Sequence, residues 1–275
     1  MDYSQYSLAQ TGYLKEDFRL FHINDRTDRE FEWHYHDFHK IIVFVSGKVT
    51  YHIEGKAYQL KPQDILLVSQ GAIHKPEIDP SIPYERYIFW IRDDLSSPEL
   101  NTCFQKANDR SFNLIRLDSV LQEKLKDLLP EIEHSLRDTQ FGDSILSKAL
   151  FAQFMVYINR IFLKSSTAPD QMSYSSDSQV EQLLKYINRN LSENLSIDHL
   201  AERFFFSKYH MMRKFKKETG YTIHNYIISK RLLHARSLIA QGTPVMKAAM
   251  QSGFQDYTAF VRAYKKQFGT VPTQR

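Results

Sequence analysis

The alternation of apolar and polar positions changes character three times along the chain. From about Phe18 to Ile91, short runs rich in β-branched and aromatic residues are separated by turn residues, and Gly47 and Gly55 mark hairpins. This region predicts seven or more strands and no helix. So many short strands favour an antiparallel β-barrel or jelly roll, because closure removes exposed strand edges.

Helical periodicity replaces the strands between Asp118 and Leu163, in VLQEKLKDLLPEIEHSL and then DSILSKALFAQFMVYINRIFLK. The first segment predicts a helix with one buried face, and Pro130 is expected to kink or interrupt it. The apolar stripe on that face consists of Val120, Leu121, Leu125, Leu128 and Leu129.

A polar, serine-rich stretch without periodicity then separates two domains. Residues 164–178, KSSTAPDQMSYSSDS, predict a flexible linker. We therefore divide the chain into an N-terminal domain (1–163), this linker and a C-terminal domain (179–275), whose first helix is expected from about Gln179 to Leu191.

One helical pattern occurs twice in the C-terminal domain, as LSIDHLAERFFFSKYHMMRKFKKETG and TPVMKAAMQSGFQDYTAFVRAYKKQFG. Each copy predicts a short helix, a tight turn and a second helix. Ser196 and Thr243-Pro244 are expected to start the first helices, and Ser207 and Asp256 to cap the second ones. The segment between the copies, NYIISKRLLHARSLIAQG, predicts one connecting helix that ends at Gly242.

The two copies keep a common register. Ala201 and Ala249 lie 48 residues apart, whereas Gly220 and Gly269 lie 49 apart, so the turns differ by one residue. The outer faces of the second helices carry residue types that read bases and hold phosphates. The candidates are Tyr209, Met212, Arg213 and Lys216 in the first copy, and Tyr257, Thr258, Arg262 and Lys265 in the second.

The C-terminal segment resembles the DNA-binding domain of the AraC/XylS family of bacterial transcription regulators, over about the last hundred residues. The resemblance is carried by LA…S…FKKxTG, YI…R…A…LI and GF…F.R.YKKQFG.VP, with Tyr264 where phenylalanine is usual and an apolar Met212 at a base-facing position. It implies two helix-turn-helix units whose second helices enter successive major grooves of double-stranded DNA. The competing interpretation is a pair of helical hairpins with solvated lysines, which would not require a second copy in register.

Charge and composition support this division. Residues 177–275 carry 16 Lys and Arg against 7 Asp and Glu, whereas the preceding 176 residues carry 20 against 25, so a basic module follows a mildly acidic one. We find neither a signal-like start nor a run approaching a membrane span of about 18 apolar residues, which predicts a cytoplasmic protein. The single cysteine, Cys103, allows no internal disulfide.

The predicted barrel contains part of the cupin double motif. His34, His36 and His74 fall where metal-binding cupins have their histidine ligands, with Gly47 and Gly71 in register, but Lys40 replaces the ligand glutamate and Ser69 replaces a proline. A charged lysine offers no lone pair and repels a divalent ion, so we expect neither a metal nor another cofactor.

Three interpretations of these histidines stay open at this point: a metal triad, structural histidines bonded within the barrel, or an effector pocket. In the third, Trp33, His34, His36, Lys40 and His74 bind a small effector, with Phe44 or Tyr51 packed against it. Side chains alternate between the faces of a strand, so the even-numbered His34, His36 and Lys40 can face the same barrel interior. The resemblance favours it, since AraC-type regulators commonly carry a cupin-like effector domain here. A sugar or related metabolite is one class that members of the family sense.

The sequence thus predicts an effector-controlled transcription regulator without enzymatic activity. The resemblance implies that residues 118–163 join two subunits of a homodimer, although these helices could instead only cover their own barrel; it also implies RNA polymerase as a partner if the protein is an activator. The alternatives are a metal-dependent cupin enzyme, such as an isomerase or dioxygenase with an accessory helical domain, and an architectural DNA-binding protein with an inert barrel.

Overall fold

The computed structural model describes residues 14, 16–26, 30–137, 140–164 and 175–273. Its N-terminal part is the predicted antiparallel β-structure, which we call the β-domain. Its main strands are β1 (Phe18–Asp25), β2 (His39–Ser46), β3 (Val49–Ile53), β4 (Lys56–Gln59), β5 (Ile65–Val68), β6 (His74–Ile78) and β7 (Tyr84–Ile91).

Two antiparallel sheets enclose one apolar core. The first has the strand order β1-β7-β2-β5-β8 and the second β6-β3-β4-β9, where β8 is Leu114–Ile115 and β9 is Ser175–Ser176. Even-numbered residues of β2, such as Ile42 and Phe44, face the second sheet and pack with Tyr51 of β3. Side chains alternate between the faces of a strand, so the odd-numbered residues of β2 point to the other side of the first sheet.

Helices cover that other side. They are α1 (Thr102–Arg110), which follows a 3₁₀ turn, α2 (Ser119–Arg137) and α3 (Asp143–Lys164). Phe151 of α3 stacks on Phe18 at a ring-centroid distance of 4.0 Å, and Phe154 stacks on Phe89 at 4.3 Å. One candidate membrane-spanning helix by length and hydropathy is α3, but its buried side chains pack on this sheet.

The structure differs from the sequence prediction in α2. The helix continues through Pro130 instead of being interrupted there. Proline removes one backbone hydrogen bond, but the buried side chains Leu128, Leu129 and Ile132 pack the helix on both sides of it. Val120, assigned to the buried stripe, is 63% exposed, because it lies in the first turn of α2 beyond the packed region.

The predicted linker lies largely outside the described residues, which omit 165–174. At its ends, Lys164 is the last residue of α3, and Ser175 and Ser176 pair with Ala57 and Lys56 of β4. The domain boundaries therefore stay a prediction.

The C-terminal part, which we call the helical domain, contains both predicted helix-turn-helix units. The first consists of α5 (Ile197–Arg203) and α6 (Lys208–Thr219), and the second of α8 (Val245–Gln251) and α9 (Tyr257–Phe268). A leading helix, α4 (Ser178–Arg189), precedes them, and α7 (Ile223–Ala240) connects them.

Most of the predicted caps are confirmed. The Ser196, Ser207 and Asp256 side chains accept backbone N–H groups at the starts of α5, α6 and α9. The start of α8 differs from the prediction: Pro244 itself occupies the N-cap position, one residue before the helix, and no side chain caps it. Its N–H is missing and its φ of −53° already suits a helix start, so the turn forms without a side-chain cap.

Candidate DNA-reading face and effector site

In the first helix-turn-helix unit, one face of α6 is buried in the core and the opposite face is exposed. Met211 and Phe215 are buried in the core that α4, α5 and α7 share. The four predicted reading residues all lie on the opposite, exposed side of α6, and Tyr209 is 72% exposed. This arrangement leaves their side chains available to a ligand as large as a duplex.

Lys214 on the same helix has a different role. Its ammonium group contacts the Asp177 carboxylate at 2.8 Å and the Gln179 side-chain oxygen at 2.7 Å, so it ties α6 to the start of α4. A basic residue on α6 can therefore hold the domain together instead of contacting DNA.

The second unit repeats the arrangement on α9. Phe260, Tyr264 and Phe268 are buried, while the predicted reading residues Tyr257, Thr258, Arg262 and Lys265 are exposed. The ring of Tyr264 lies 5.5 Å from that of Phe260 and 4.5 Å from that of Phe268. Tyrosine thus packs the core at the position where the family usually has phenylalanine.

The one-residue difference between the units lies at Gln255. Phe206 and Phe254 are 48 positions apart, and each donates its N–H to the corresponding alanine carbonyl of the preceding helix. The caps that follow, Ser207 and Asp256, are 49 apart. In the turn before the cap, the first unit has Phe205 at φ +54°, whereas the second unit has Gly253 at φ +91°.

The second candidate site is the barrel mouth, which we define as His34, His36, Lys40 and His74. The rings of His34 and His74 lie 4.4 Å apart, and that of His36 lies 5.0 Å and 5.2 Å from them. Backbone hydrogen bonds between His34 and His74, of 3.1 and 2.9 Å, hold the two segments together. The predicted convergence of even-numbered side chains therefore occurs.

Hydrogen bonds to the backbone fix which ring nitrogens are free. Nδ1 of His34 lies 2.8 Å from the Glu32 carbonyl, and Nδ1 of His74 lies 2.9 Å from the Ala72 carbonyl. A carbonyl only accepts, so each Nδ1 carries the proton and each Nε2 presents a lone pair. Nε2 of His74 is buried and has no hydrogen-bond partner among the described residues.

Burial and Lys40 keep these imidazoles neutral. Desolvation, followed by repulsion from the Lys40 ammonium, lowers the pKa of His34 to about 4 and that of His36 to about 2. The pKa of His74 is lowered well below its ordinary value by the same two effects. Burial, and then Arg86, lower the pKa of Lys40 to about 8, so it is mostly charged at neutral pH.

The two cations in the barrel differ in their pairing. Arg86 forms an ion pair with Asp25 and donates to the Tyr84 carbonyl. The Lys40 ammonium group forms neither a hydrogen bond nor an ion pair with any described residue. A buried ammonium without a partner is expensive, which makes this part of the barrel suited to a ligand that supplies acceptor oxygens.

Trp33 is not brought to the barrel mouth. Its ring lies against Gly220, at the end of α6, and 5.7 Å from the ring of His52. Tyr51, by contrast, lies inside the barrel with its ring 6.0 Å from that of His74.

Comparison with known protein families identifies both domains. Residues 19–155 match the model of the AraC-like ligand binding domain, and residues 200–275 match that of a helix-turn-helix domain. The chain belongs to the AraC family of transcription regulators. The assignment confirms a regulator with an effector-binding domain and a DNA-binding domain.

Full-length members of the AraC family are similar to the chain at low identity. The HTH-type transcriptional activator RhaR of Mannheimia succiniciproducens is 22% identical over 246 residues, covering 89% of this chain and 86% of that protein. RhaS of Yersinia pestis, also a transcriptional activator, is 24% identical and covers 88% of each chain. The uncharacterized regulator YbfI of Bacillus subtilis is 25% identical, covering 83% of this chain and 80% of that protein. These relatives are transcription regulators, not enzymes.

Proposed function

We propose that the chain is a cytoplasmic homodimer that binds specific DNA through the eight reading residues of α6 and α9, under control of a small molecule at the barrel mouth. One observation carries this proposal: in both units the predicted side chains are exposed above a buried aromatic anchor. Fluorescence anisotropy with a duplex from upstream of the protein's own gene tests it, with a random duplex of equal length as control.

Within each reading helix we assign two roles. Arg213 and Arg262 read base edges, because a guanidinium can donate two parallel hydrogen bonds to guanine. Lys216 and Lys265, one turn further along the same faces, hold phosphates as point charges. The remaining four residues complete the reading face: Tyr209, Met212, Tyr257 and Thr258.

For the effector we propose an anionic or polyhydroxylated molecule bound by His34, His36, Lys40 and His74, without Trp33, whose ring packs on Gly220. The proposal is supported by the Lys40 ammonium, which lacks a partner among the described residues, and by the imidazole lone pairs. A hydroxyl can donate to a lone pair and accept from the ammonium at the same time.

A thermal-shift screen with sugars, sugar phosphates and organic acids tests the effector class. A ligand at 100 times its dissociation constant stabilises the protein by about 2.7 kcal/mol. The Lys40→Met variant should lose that shift. An equal shift in Lys40→Met would place the ligand elsewhere.

We propose that the homodimer forms through α2 and α3. The proposal is supported by exposed apolar side chains on these helices, including Val120 and Ile145, of which the latter is 75% exposed. Sedimentation should show a dimer for the full chain and a monomer for Ile145→Lys. The control is Ile82→Lys, which changes an exposed isoleucine in the β6–β7 turn.

RNA polymerase is the further partner we infer, because relatives of the chain are named transcriptional activators. Activation requires contact with the polymerase or recruitment of it. In vitro transcription from the upstream duplex, with and without the protein, measures whether transcript yield rises.

The metal-dependent enzyme is the second candidate, and the three converging imidazoles favour it. Lys40 opposes it, because it adds a positive charge where a cation would bind. Elemental analysis of the purified protein separates the two: one tightly held transition metal per chain would transfer support to the enzyme.

A further inference from the structure

The helical domain packs on the β-domain through one face of α7. The carboxylate of Glu54 accepts from the Tyr226 hydroxyl at 2.5 Å and from the Lys230 ammonium at 2.9 Å. Six residues further along α7, Arg236 donates to Asp37 at 2.9 Å. Leu233 lies between Lys230 and Arg236, three residues from each, and its side chain lies against Gly71. Positions three and four apart share a helix face, so these residues form one continuous contact surface.

Residues 33–37 connect this contact surface to the barrel mouth by simple alternation. The odd-numbered side chains meet the helical domain: Trp33 packs on Gly220, the Tyr35 ring lies 6.3 Å from that of Tyr221, and Asp37 pairs with Arg236. The even-numbered His34 and His36 point to His74. Extended backbone places successive side chains on opposite faces, so any shift of this segment moves both sets together.

A second segment, residues 71–74, has the same two-sided arrangement. The Gly71 carbonyl accepts from Lys230 at 2.9 Å, and Ile73 is buried in the core of the first helix-turn-helix unit. His74 points the other way, into the barrel mouth. The Gly71 N–H donates to the His36 carbonyl at 2.8 Å, which joins this segment to residues 33–37.

Glu54 is held in an unfavourable backbone conformation at this contact. Its φ is +48°, in the left-handed region that residues with a Cβ rarely occupy. Besides Tyr226 and Lys230, its carboxylate accepts from the Ile73 N–H at 2.8 Å and the Asn188 amide at 3.3 Å. The two-residue turn between β3 and β4 sets this conformation, because a hairpin loop of that length favours φ > 0 at both positions, and Gly55 follows at φ +77°. The carboxylate that projects from the turn has partners in both domains.

The connecting helix α7 is shared by the two reading units. Its first half contributes Ile223, Tyr226 and Ile227 to the core of the first unit. Its second half contributes Leu232, Ala235 and Ile239 to the core of the second. A displacement of α7 therefore moves both reading helices with it.

We propose that residues 33–37 and 71–74, with Glu54, transmit ligand occupancy of the barrel mouth to α7 and thereby to both reading helices. This inference rests on the proposed function for the ligand role of the barrel mouth. The reading residues themselves are exposed, so the transmission acts by placing the two helices and not by covering them. Coupling of this kind is reciprocal: a change at either end is felt at the other.

Hydrogen exchange of the full chain tests the coupling without knowing the ligand. Lys40→Met removes the buried charge at the barrel mouth, and the exchange of α7 amides is the readout. We expect a change of about fivefold or more, the lower range of measured coupling. In the Asp37→Asn/Glu54→Gln background, the same Lys40→Met change should leave α7 exchange unaltered.

The matched control background is Asp79→Asn. Asp79 pairs with Lys48 at 2.9 Å within the β-domain, away from the carboxylates that meet α7, so the Lys40→Met effect should persist there. His36→Gln provides a second perturbation of the barrel mouth in case Lys40→Met does not fold. Unchanged α7 exchange in the folded variants, or an equal change in the Asp37→Asn/Glu54→Gln background, would overturn the proposal.

Anisotropy with the upstream duplex, run on the same samples, keeps the two proposals apart. If the chain does not bind DNA while α7 responds to Lys40→Met, the DNA-reading proposal fails and the coupling stands. If the chain binds DNA while α7 does not respond, the coupling fails alone.

Discussion

Gly220 and Gly269 end α6 and α9 in nearly the same backbone conformation, at φ +74° and +73°, yet their surroundings differ. A Cβ added at Gly220 would lie 2.2 Å from the nearest Trp33 ring atom, whereas one added at Gly269 would meet nothing within 4 Å. The pair therefore separates the cost of a left-handed residue from the cost of disturbing the contact between domains.

We expect Gly269→Ala to lower the free energy of unfolding by about 1 kcal/mol, the usual cost of a left-handed alanine. Gly220→Ala should cost clearly more, because the Trp33 ring must also move away from α6. Urea denaturation of both variants measures the difference. Equal losses would mean that Trp33 does not pack on α6 in solution.

The barrel-mouth histidines make stability depend on pH in a defined direction. Because the pKa of His34 is lowered from 6.5 to about 4, the unfolded chain takes up this proton before the folded chain does. The free energy of unfolding should then fall as pH drops from 6.5 towards 4, by up to about 1.4 kcal/mol per pH unit for each such histidine.

His74, whose pKa is lowered well below 6.5, should contribute to the same slope. We expect His74→Gln to make the loss of stability between pH 6.5 and pH 5 less steep by about one proton. Denaturation with urea across this range measures it, with His52→Gln as the control for a histidine outside the barrel mouth. A slope unchanged by His74→Gln would contradict the burial of a neutral imidazole there.

At the scale of single elements, the arginine and the lysine of each reading helix should recognise different parts of the DNA. Arg213→Ala and Arg262→Ala should each lose about 1 to 3 kcal/mol of binding on the upstream duplex and much less on random DNA. Lys216→Ala and Lys265→Ala should weaken both complexes alike and reduce the salt dependence. Anisotropy at several salt concentrations measures this, and an arginine variant that weakens both duplexes equally would lose its base-reading role.

Local patterns predicted the elements well where one face is buried. The strands, the reading helices and the caps at Ser196, Ser207 and Asp256 follow from period, burial and side-chain oxygens. The missing N–H of Pro130 predicts an interruption of the helix, whereas packing on both sides keeps α2 continuous.

Only part of the candidate effector site could be predicted from the sequence. Alternation placed His34, His36 and Lys40 on one face, but it also put Trp33 on the other, towards Gly220. The odd-numbered set 33, 35 and 37 carried the signal for the contact with α7, but its partners lie nearly two hundred positions away. Only the folded chain shows that Asp37 meets Arg236 and Glu54 meets Lys230.

At the scale of the whole molecule, charge and contact surfaces divide the work between the domains. The last 99 residues carry an excess of Lys and Arg, which attracts them to a phosphate backbone. The acidic β-domain contacts the helical domain through carboxylates such as those of Glu54 and Asp37. The β-domain therefore contacts α7 directly, while the eight reading residues stay exposed.

The measurement that tests the central claim most directly is the ratio of two dissociation constants for the full chain at about 150 mM salt, close to physiological ionic strength. One is for the duplex upstream of its own gene and the other for a random duplex of the same length and composition. Specific regulators bind their sites at least about 10³-fold more tightly than other DNA, and we predict a ratio of this size that falls in Arg213→Ala/Arg262→Ala. Equal dissociation constants for the two duplexes, or a ratio that the double variant leaves unchanged, would contradict sequence-specific reading by α6 and α9.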